Sequence, residues 1–312
     1  MTKTDTYDAI VDVSRKHGKH PVLEYLRGLR WDGRRRIDRF LTDYFGCEDT
    51  PYTQAVSSKF LISMVARIAS PGCKVDTMLI LEGKQGIGKS RALSLLVPDE
   101  NWYKAGSIDP GDKDTVQGMT GKWLIEYAEL SGMRKQEAEA LKGFLTTKID
   151  NIRKSYGRDT VDIQRQSVFV GTTNEAKYLR DETGDRRFWP VRATSIDADA
   201  IVRDRDQLWA EAVEMWRAGA IWHLTREEEG EANNNRSERR VTDVWEESIV
   251  EYMAGVERAT LRQIFNECLF IPLKDQHDGY GRRIKGIMER NGYEQVHKKE
   301  NGKTIRVYVK AG

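Results

Sequence analysis

The chain has 312 residues, 51 Lys or Arg against 49 Asp or Glu, and a 39% hydrophobic share, which suits two or three domains with packed cores. No run approaches the ~18 consecutive apolar residues of a membrane span, and no apolar stretch follows the start Met1-Thr2-Lys3-Thr4-Asp5-Thr6. Cys47, Cys73 and Cys268 are too scattered for a zinc cluster or a disulfide framework, so membrane, secreted and cysteine-scaffold classes drop out and a cytoplasmic location is expected.

Residues 1–75 are predicted to form an N-terminal helical domain. Apolar residues recur at helical spacing around Tyr7 to Val13, Val22 to Leu26 and Phe60 to Ala66. Between them Trp31-Asp32-Gly33 signals a turn, followed by Arg34, Arg35 and Arg36. The texture then changes. Met78-Leu79-Ile80-Leu81 has the mark of a buried parallel strand, and a glycine loop and a helix over 91–96 follow. Two more strand-like runs lie at Trp123-Leu124-Ile125 and Val168-Phe169-Val170-Gly171, with a helix over 137–145 between them and another over 204–216. This alternation predicts an α/β layer with a parallel sheet, assigned to residues 76–225.

Residues 226–240 are almost wholly polar and read as a linker or an exposed helix. From residue 241 to 312 the order is three helices and two short strands around Asn301-Gly302, a hairpin signal. That order predicts a winged-helix DNA-binding domain. From Gly281 to Gly312 there are nine Lys or Arg against three Glu, so a polyanion contact is expected at this end. Arg282, Arg283, Lys285 and Arg290 fall on the expected recognition helix, and Lys298, Lys299 and Lys303 on the wing. A protein partner is the competing reading of that basic tail.

Gly83-Lys84-Gln85-Gly86-Ile87-Gly88-Lys89-Ser90 fits G-x-x-x-x-G-K-[ST] without a mismatch, between a buried strand and a helix. Gly83, Gln85, Gly86, Ile87 and Gly88 would cradle phosphate with backbone N–H groups, and the helix beginning near Gly88, through Arg91, adds its positive end. Lys89 would reach the β- and γ-phosphates, and Ser90 would ligate Mg²⁺. The cofactors expected are therefore ATP and Mg²⁺. Downstream, Lys122-Trp123-Leu124-Ile125-Glu126-Tyr127-Ala128-Glu129 is a strand running into carboxylates, so Glu126 and Glu129 are the candidates for metal binding and water activation. Glu129 is favoured, for metal and catalysis, because a strand beginning at Lys122 would end before it. The polar tip Gly171-Thr172-Thr173-Asn174 offers Asn174 to the attacking water. Arg186 or Arg187, opening an aromatic strand, supplies an arginine finger.

Together these motifs resemble a superfamily 3 helicase of the AAA+ type, and more closely the virulence-associated protein E family of phage and mobile-element ATPases. The resemblance runs over residues 20–220 through Tyr25-Leu26, Trp31-Asp32-Gly33, Pro71-Gly72-Cys73-Lys74, the loop, Gly121-Lys122-Trp123, Gly171-Thr172-Thr173-Asn174-Glu175 and the stretch from Leu179 to Pro190. It implies an AAA+ ATPase core, with Lys89 and Ser90 on phosphate and Mg²⁺, Glu129 as catalytic acid, Asn174 as sensor, and Arg186 or Arg187 as finger. It also implies a hexameric ring encircling DNA, single-stranded or forked, in the replication of a mobile element. Such proteins often carry a primase domain ahead of the ATPase; here only a small helical region precedes it, so a separate primase is the expected partner. Their pore hairpin lies between the acidic and Asn strands. That interval holds Lys148, Arg153, Lys154, Tyr156, Gly157, Arg158 and Arg165, with Arg-Lys-x-Tyr-Gly-Arg as the expected tip, unless it is simply a solvated basic loop. The alternative function is an ATP-switched DNA-binding initiator or regulator that does not unwind.

Overall fold

The computed structural model describes residues 19–109, 111–128, 130, 135–153, 160–179, 185–239, 243–300 and 303–311. The chain divides into two compact units, Met1–Arg240 and Val241–Gly312. Among the described residues no helix is long and apolar enough to cross a membrane.

The first unit opens with helices α1 (Pro21–Gly28), α2 (Phe40–Phe45) and α3 (Pro51–Ala69). Helix α3 starts where the Thr50 hydroxyl accepts from the Thr53 N–H and Pro51 takes the first turn. It is apolar on nearly every side because it is buried among other helices and the sheet. The Trp31-Asp32-Gly33 turn is held by the buried carboxylate of Glu211, which accepts from the N–H groups of Arg36 and Ile37 at 2.6 and 3.1 Å. Arg36 is paired with Asp32 at 2.6 Å, so part of that basic run maintains a turn.

The sheet follows in chain order as β1 (Met78–Glu82), β2 (Tyr103–Gly106), β3 (Leu124–Tyr127), β6 (Val168–Thr173) and β7 (Phe188–Arg192), where β4 (Ile149–Arg153) and β5 (Thr160–Gln164) form a separate antiparallel pair. All five strands are parallel, in the spatial order β2-β3-β6-β1-β7. Successive side chains of β1 face opposite ways. Leu79 and Leu81 enter the core shared with α1, α2, α3 and α7 (Ala198–Arg217). Met78 and Ile80 enter the core under α5 (Lys113–Gln117) and α6 (Lys135–Leu145). Burial on both faces is why these strands read as continuous apolar runs. The parallel sheet expected from the alternation is present, and the N-terminal helices share its core. Pro190 is tolerated in β7 because that strand lies at the sheet edge.

Residues 226–238 are a helix, α8 (Arg226–Glu238), opened by a capping box between Thr225 and Glu228. Its few small or long side chains turned inward, Ala232 and Arg236, are buried, so the polar stretch is a helix packed on the first unit.

In the second unit, α9 (Glu246–Ala254) and α10 (Leu261–Gln263), which runs on as a π turn over Ile264–Cys268, precede α11 (Asp278–Arg290). Strands β9 (Tyr293–Glu300) and β10 (Lys303–Lys310) pair antiparallel, and β8 (Arg258–Ala259) adds to β10. Ile249, Ile264, Ile284, Ile287 and Tyr308 form its own core.

Candidate functional site

The glycine loop leaves β1 at Glu82 and enters α4 (Lys89–Leu96). A Cβ on Gly83 would stand 2.6 Å from the Ala193 carbonyl oxygen, so only glycine lets the loop pass so close to the chain beyond β7. Gly88 caps α4 at φ 97° and Gly86 sits at φ 82°, both in the left-handed region. The Lys89 ammonium donates back to the carbonyls of Gly83 and Lys84 at 2.7 and 3.0 Å. Partial burial pulls its pKa below the usual lysine range, against the attraction of Glu126. Gln85, Gly86, Ser90 and Arg91 lie on the exposed side of the loop, with Ile87 half-buried.

Glu126 sits within β3 and its residue is fully buried. One carboxylate oxygen accepts from the hydroxyls of Ser90 and Thr172, each at 2.7 Å, and the other accepts from Tyr103. Burial pushes the Tyr103 phenol well above its ordinary pKa, and the Glu126 hydrogen bond adds to this. Three strands, β2, β3 and β6, thus place Tyr103, Glu126 and Thr172 against the first turn of α4. Hard oxygen donors clustered beside the glycine loop fit Mg²⁺, which is typically held by one or two carboxylates and substrate phosphates. The sequence favours Glu129 on the metal with Ser90; among the described residues the carboxylate in contact with Ser90 is Glu126. Glu129 lies outside the described residues. Nothing in the sequence points to Tyr103, because Tyr-Lys-Ala-Gly carries neither an apolar run nor a motif.

A Cβ on Gly171 of β6 would lie 2.3 Å from Leu130 Cδ1, so any larger residue there has to displace that side chain. Asn174, exposed at the tip of β6, lines the same cleft of about 500 Å³ as Gly83, Lys84, Ile87 and Arg192. At the base of the loop, Glu82 accepts from Tyr178 Oη and from Arg239 Nε, both at 2.8 Å. The Arg239 carbonyl also accepts from the N–H groups of Tyr178 and Leu179 at 3.0 and 3.1 Å. This network ties the loop to the segment after the Asn tip, and no sequence motif announces it.

Arg186 and Arg187 lie elsewhere. Phe188 pairs with Met78 at the start of β1, whereas the loop begins beyond Glu82. The pair therefore stands a five-residue strand away from its own loop, roughly 16 Å. Asp185, buried in an ion pair with Lys142 at 3.0 Å, anchors the turn; Arg186 is exposed and Arg187 half-buried.

Of the expected DNA contacts, Lys148 is exposed. Strands β4 and β5 pair up to Arg153 and Thr160. The Arg153 side chain, Lys154, Tyr156, Gly157 and Arg158 lie outside the described residues. Arg165 is not a surface cation. It is buried, donates to Asp150 at 2.8 Å and stacks 4.2 Å from the Phe144 ring, rooting the hairpin in the core. Arg282 and Lys285 are exposed on α11, with Lys285 near Glu289 at 3.6 Å. Arg283 points inward instead, paired with Asp243 at 2.7 Å and stacked 3.8 Å from the Trp245 ring.

The fold is similar to solved structures of the NrS-1 C-terminal region. One apo form aligns at TM-score 0.52 and 14% identity over 92% of this chain and 78% of that one; another aligns at 0.51 and 15% over the same shares. The JCV helicase aligns more loosely, at TM-score 0.36 and 11% identity over 77% of this chain and 78% of that one. No curated protein matches by sequence. The model of the virulence-associated protein E-like domain matches residues 26–241, and the chain therefore belongs to the virulence-associated protein E-like family.

Proposed function

We propose that this chain is a P-loop ATPase of AAA+ type that couples ATP hydrolysis to DNA unwinding or translocation, as a homo-oligomeric, hexameric ring in the replication of a phage or mobile element. The observation that carries the reading is the convergence of Lys89, Ser90, Glu126 and Thr172 on one loop at the carboxyl end of a parallel sheet, where such sheets bind ligands. In it, Lys89 leaves the carbonyls of Gly83 and Lys84 for the β- and γ-phosphates, while loop N–H groups cradle the phosphates. Ser90 and Glu126 hold Mg²⁺, which when bound neutralises developing phosphate charge. Tyr103 and Thr172 keep Glu126 aimed at Ser90. Glu129, three residues on, activates the attacking water, and Asn174 orients it. Arg186 is exposed and stands a strand length from its own loop, which supports a role at a neighbour's γ-phosphate.

The β4–β5 hairpin, through Lys148, Arg153, Lys154, Tyr156 and Arg158, contacts single-stranded DNA. The second unit acts as a winged helix, with Arg282 and Lys285 toward DNA and Arg283 as a brace. Two assays test this. Lys89→Ala should reduce ATP turnover to background without unfolding the protein; undiminished turnover would sink the hydrolase reading. The wild type should displace a strand from a forked duplex with ATP. Hydrolysis without displacement would favour an ATP-switched initiator, for which the three helices and hairpin of the second unit are the supporting feature.

A further inference from the structure

Both oxygens of the Glu126 carboxylate are engaged, and they are used differently. One accepts from the hydroxyls of Ser90 and Thr172, each at 2.7 Å, beside the first turn of α4. The other accepts from the Tyr103 phenol, whose oxygen also lies 3.4 Å from the Ser90 carbonyl oxygen. Tyr103 opens β2, the edge strand beside β3, and stands opposite Leu124, two residues before Glu126. Its long side chain therefore reaches along the sheet to the carboxylate. Glu126 has no exposed surface, so it cannot bring both oxygens to one cation without giving up the Tyr103 hydrogen bond.

That division decides which cation fits. Ca²⁺ takes about six to eight oxygens in flexible geometry and is often chelated by both oxygens of a carboxylate. Mg²⁺ is smaller, demands a near-ideal octahedron and keeps several waters, so a single carboxylate oxygen serves it. A carboxylate pinned from behind by a phenol offers only the oxygen that touches Ser90.

We propose that Tyr103 is a positioning residue that sets cation specificity: it occupies one oxygen of Glu126, leaves a single oxygen for the metal at Ser90, and so favours Mg²⁺ over Ca²⁺. The inference rests on the phosphate-loop reading, and calorimetry of ADP binding to the full chain, in Mg²⁺, in Ca²⁺ and in EDTA, separates the two. The wild type should bind ADP about tenfold more tightly with Mg²⁺ than with Ca²⁺. Tyr103→Phe keeps the ring, frees the second oxygen, and should bring the two affinities within about twofold, chiefly by tightening the Ca²⁺ complex. Thr172→Val removes a hydroxyl from the other oxygen and should change both affinities alike, leaving their ratio as in the wild type. A purely structural loss would lower both affinities in either variant and leave the ratio alone. An unchanged ratio in Tyr103→Phe, or the same collapse in Thr172→Val, overturns the proposal. Should Tyr103→Phe fail to fold, as thermal melting would show, the wild-type ratio decides: a Mg²⁺ preference above about threefold supports the proposal and a smaller one overturns it. If the wild type binds ADP equally well in EDTA, the loop reading stands and this inference falls. If it binds ADP in none of the three media, the phosphate-loop reading fails and takes this inference with it.

Discussion

At the residue scale the decisive arrangement is around Glu126. A carboxylate with no exposed surface, accepting from three hydroxyls, is held in a single orientation and is poorly placed to move toward water. Glu126→Gln should therefore weaken Mg²⁺-dependent nucleotide binding, since the amide carries no charge for the metal and, with its oxygen taken by Ser90 and Thr172, its NH₂ group cannot accept from Tyr103. Glu129→Gln should retain binding and lose hydrolysis. Nucleotide titrations with and without Mg²⁺, beside turnover measurements, distinguish the two; the opposite pattern would exchange the roles. Ser90 and Lys89 were legible in the sequence because the loop motif specifies their spacing. The choice between two glutamates three residues apart depends on where β3 faces α4, and no local pattern encodes that.

At the scale of elements, the β4–β5 hairpin shows how one basic segment serves two purposes. Arg165 and Asp150 form a buried pair, and removing one partner leaves an uncompensated charge. Arg165→Ala should cost roughly 3 kcal/mol of stability, read from chemical denaturation, and the loss should be independent of DNA. A stability change below about 1 kcal/mol would place the pair outside the cooperative core. Neutralising Arg153, Lys154 and Arg158 together should instead leave stability unchanged, lower single-strand affinity and flatten its salt dependence, because fewer counterions are released. An unaltered salt slope would mark these three as merely solvated. Sequence alone placed Arg165 with the surface cations because composition cannot separate a buried Arg stacked on Phe144 from a solvated one. Arg283, held on Trp245, is the same lesson in α11.

For the whole molecule, the finger prediction concerns assembly. Arg186 stands a strand length from its own loop, so hydrolysis that needs it must draw it from another copy. A finger is typically worth about 10³ or more in turnover. Lys89→Ala subunits have a dead loop and Arg186→Ala subunits a dead finger, and each alone should be inactive. Mixed, an intact loop can meet an intact finger at some interfaces, and part of the turnover should return. If no ratio restores activity while sizing shows mixed assembly, Arg186 acts within its own subunit or only structurally.

The sequence by itself determined the parallel α/β layer, the glycine loop between strand and helix, and the family, because short apolar runs, a fixed glycine spacing and ordered motifs are local signals that survive without neighbours. It also determined that the last seventy or so residues carry helices and a hairpin, since helical spacing and turn chemistry are local too. Only the tertiary structure decided that β6 lies between β1 and β3, bringing Thr172 and Glu126 to Ser90, and that the N-terminal helices share the core of the sheet. It likewise turned the polar stretch after Thr225 into a helix whose end, at Arg239, grips Glu82 beneath the loop. These are long-range pairings across 36 to 157 residues, where side chains with ordinary local surroundings acquire their partners only when the chain closes on itself.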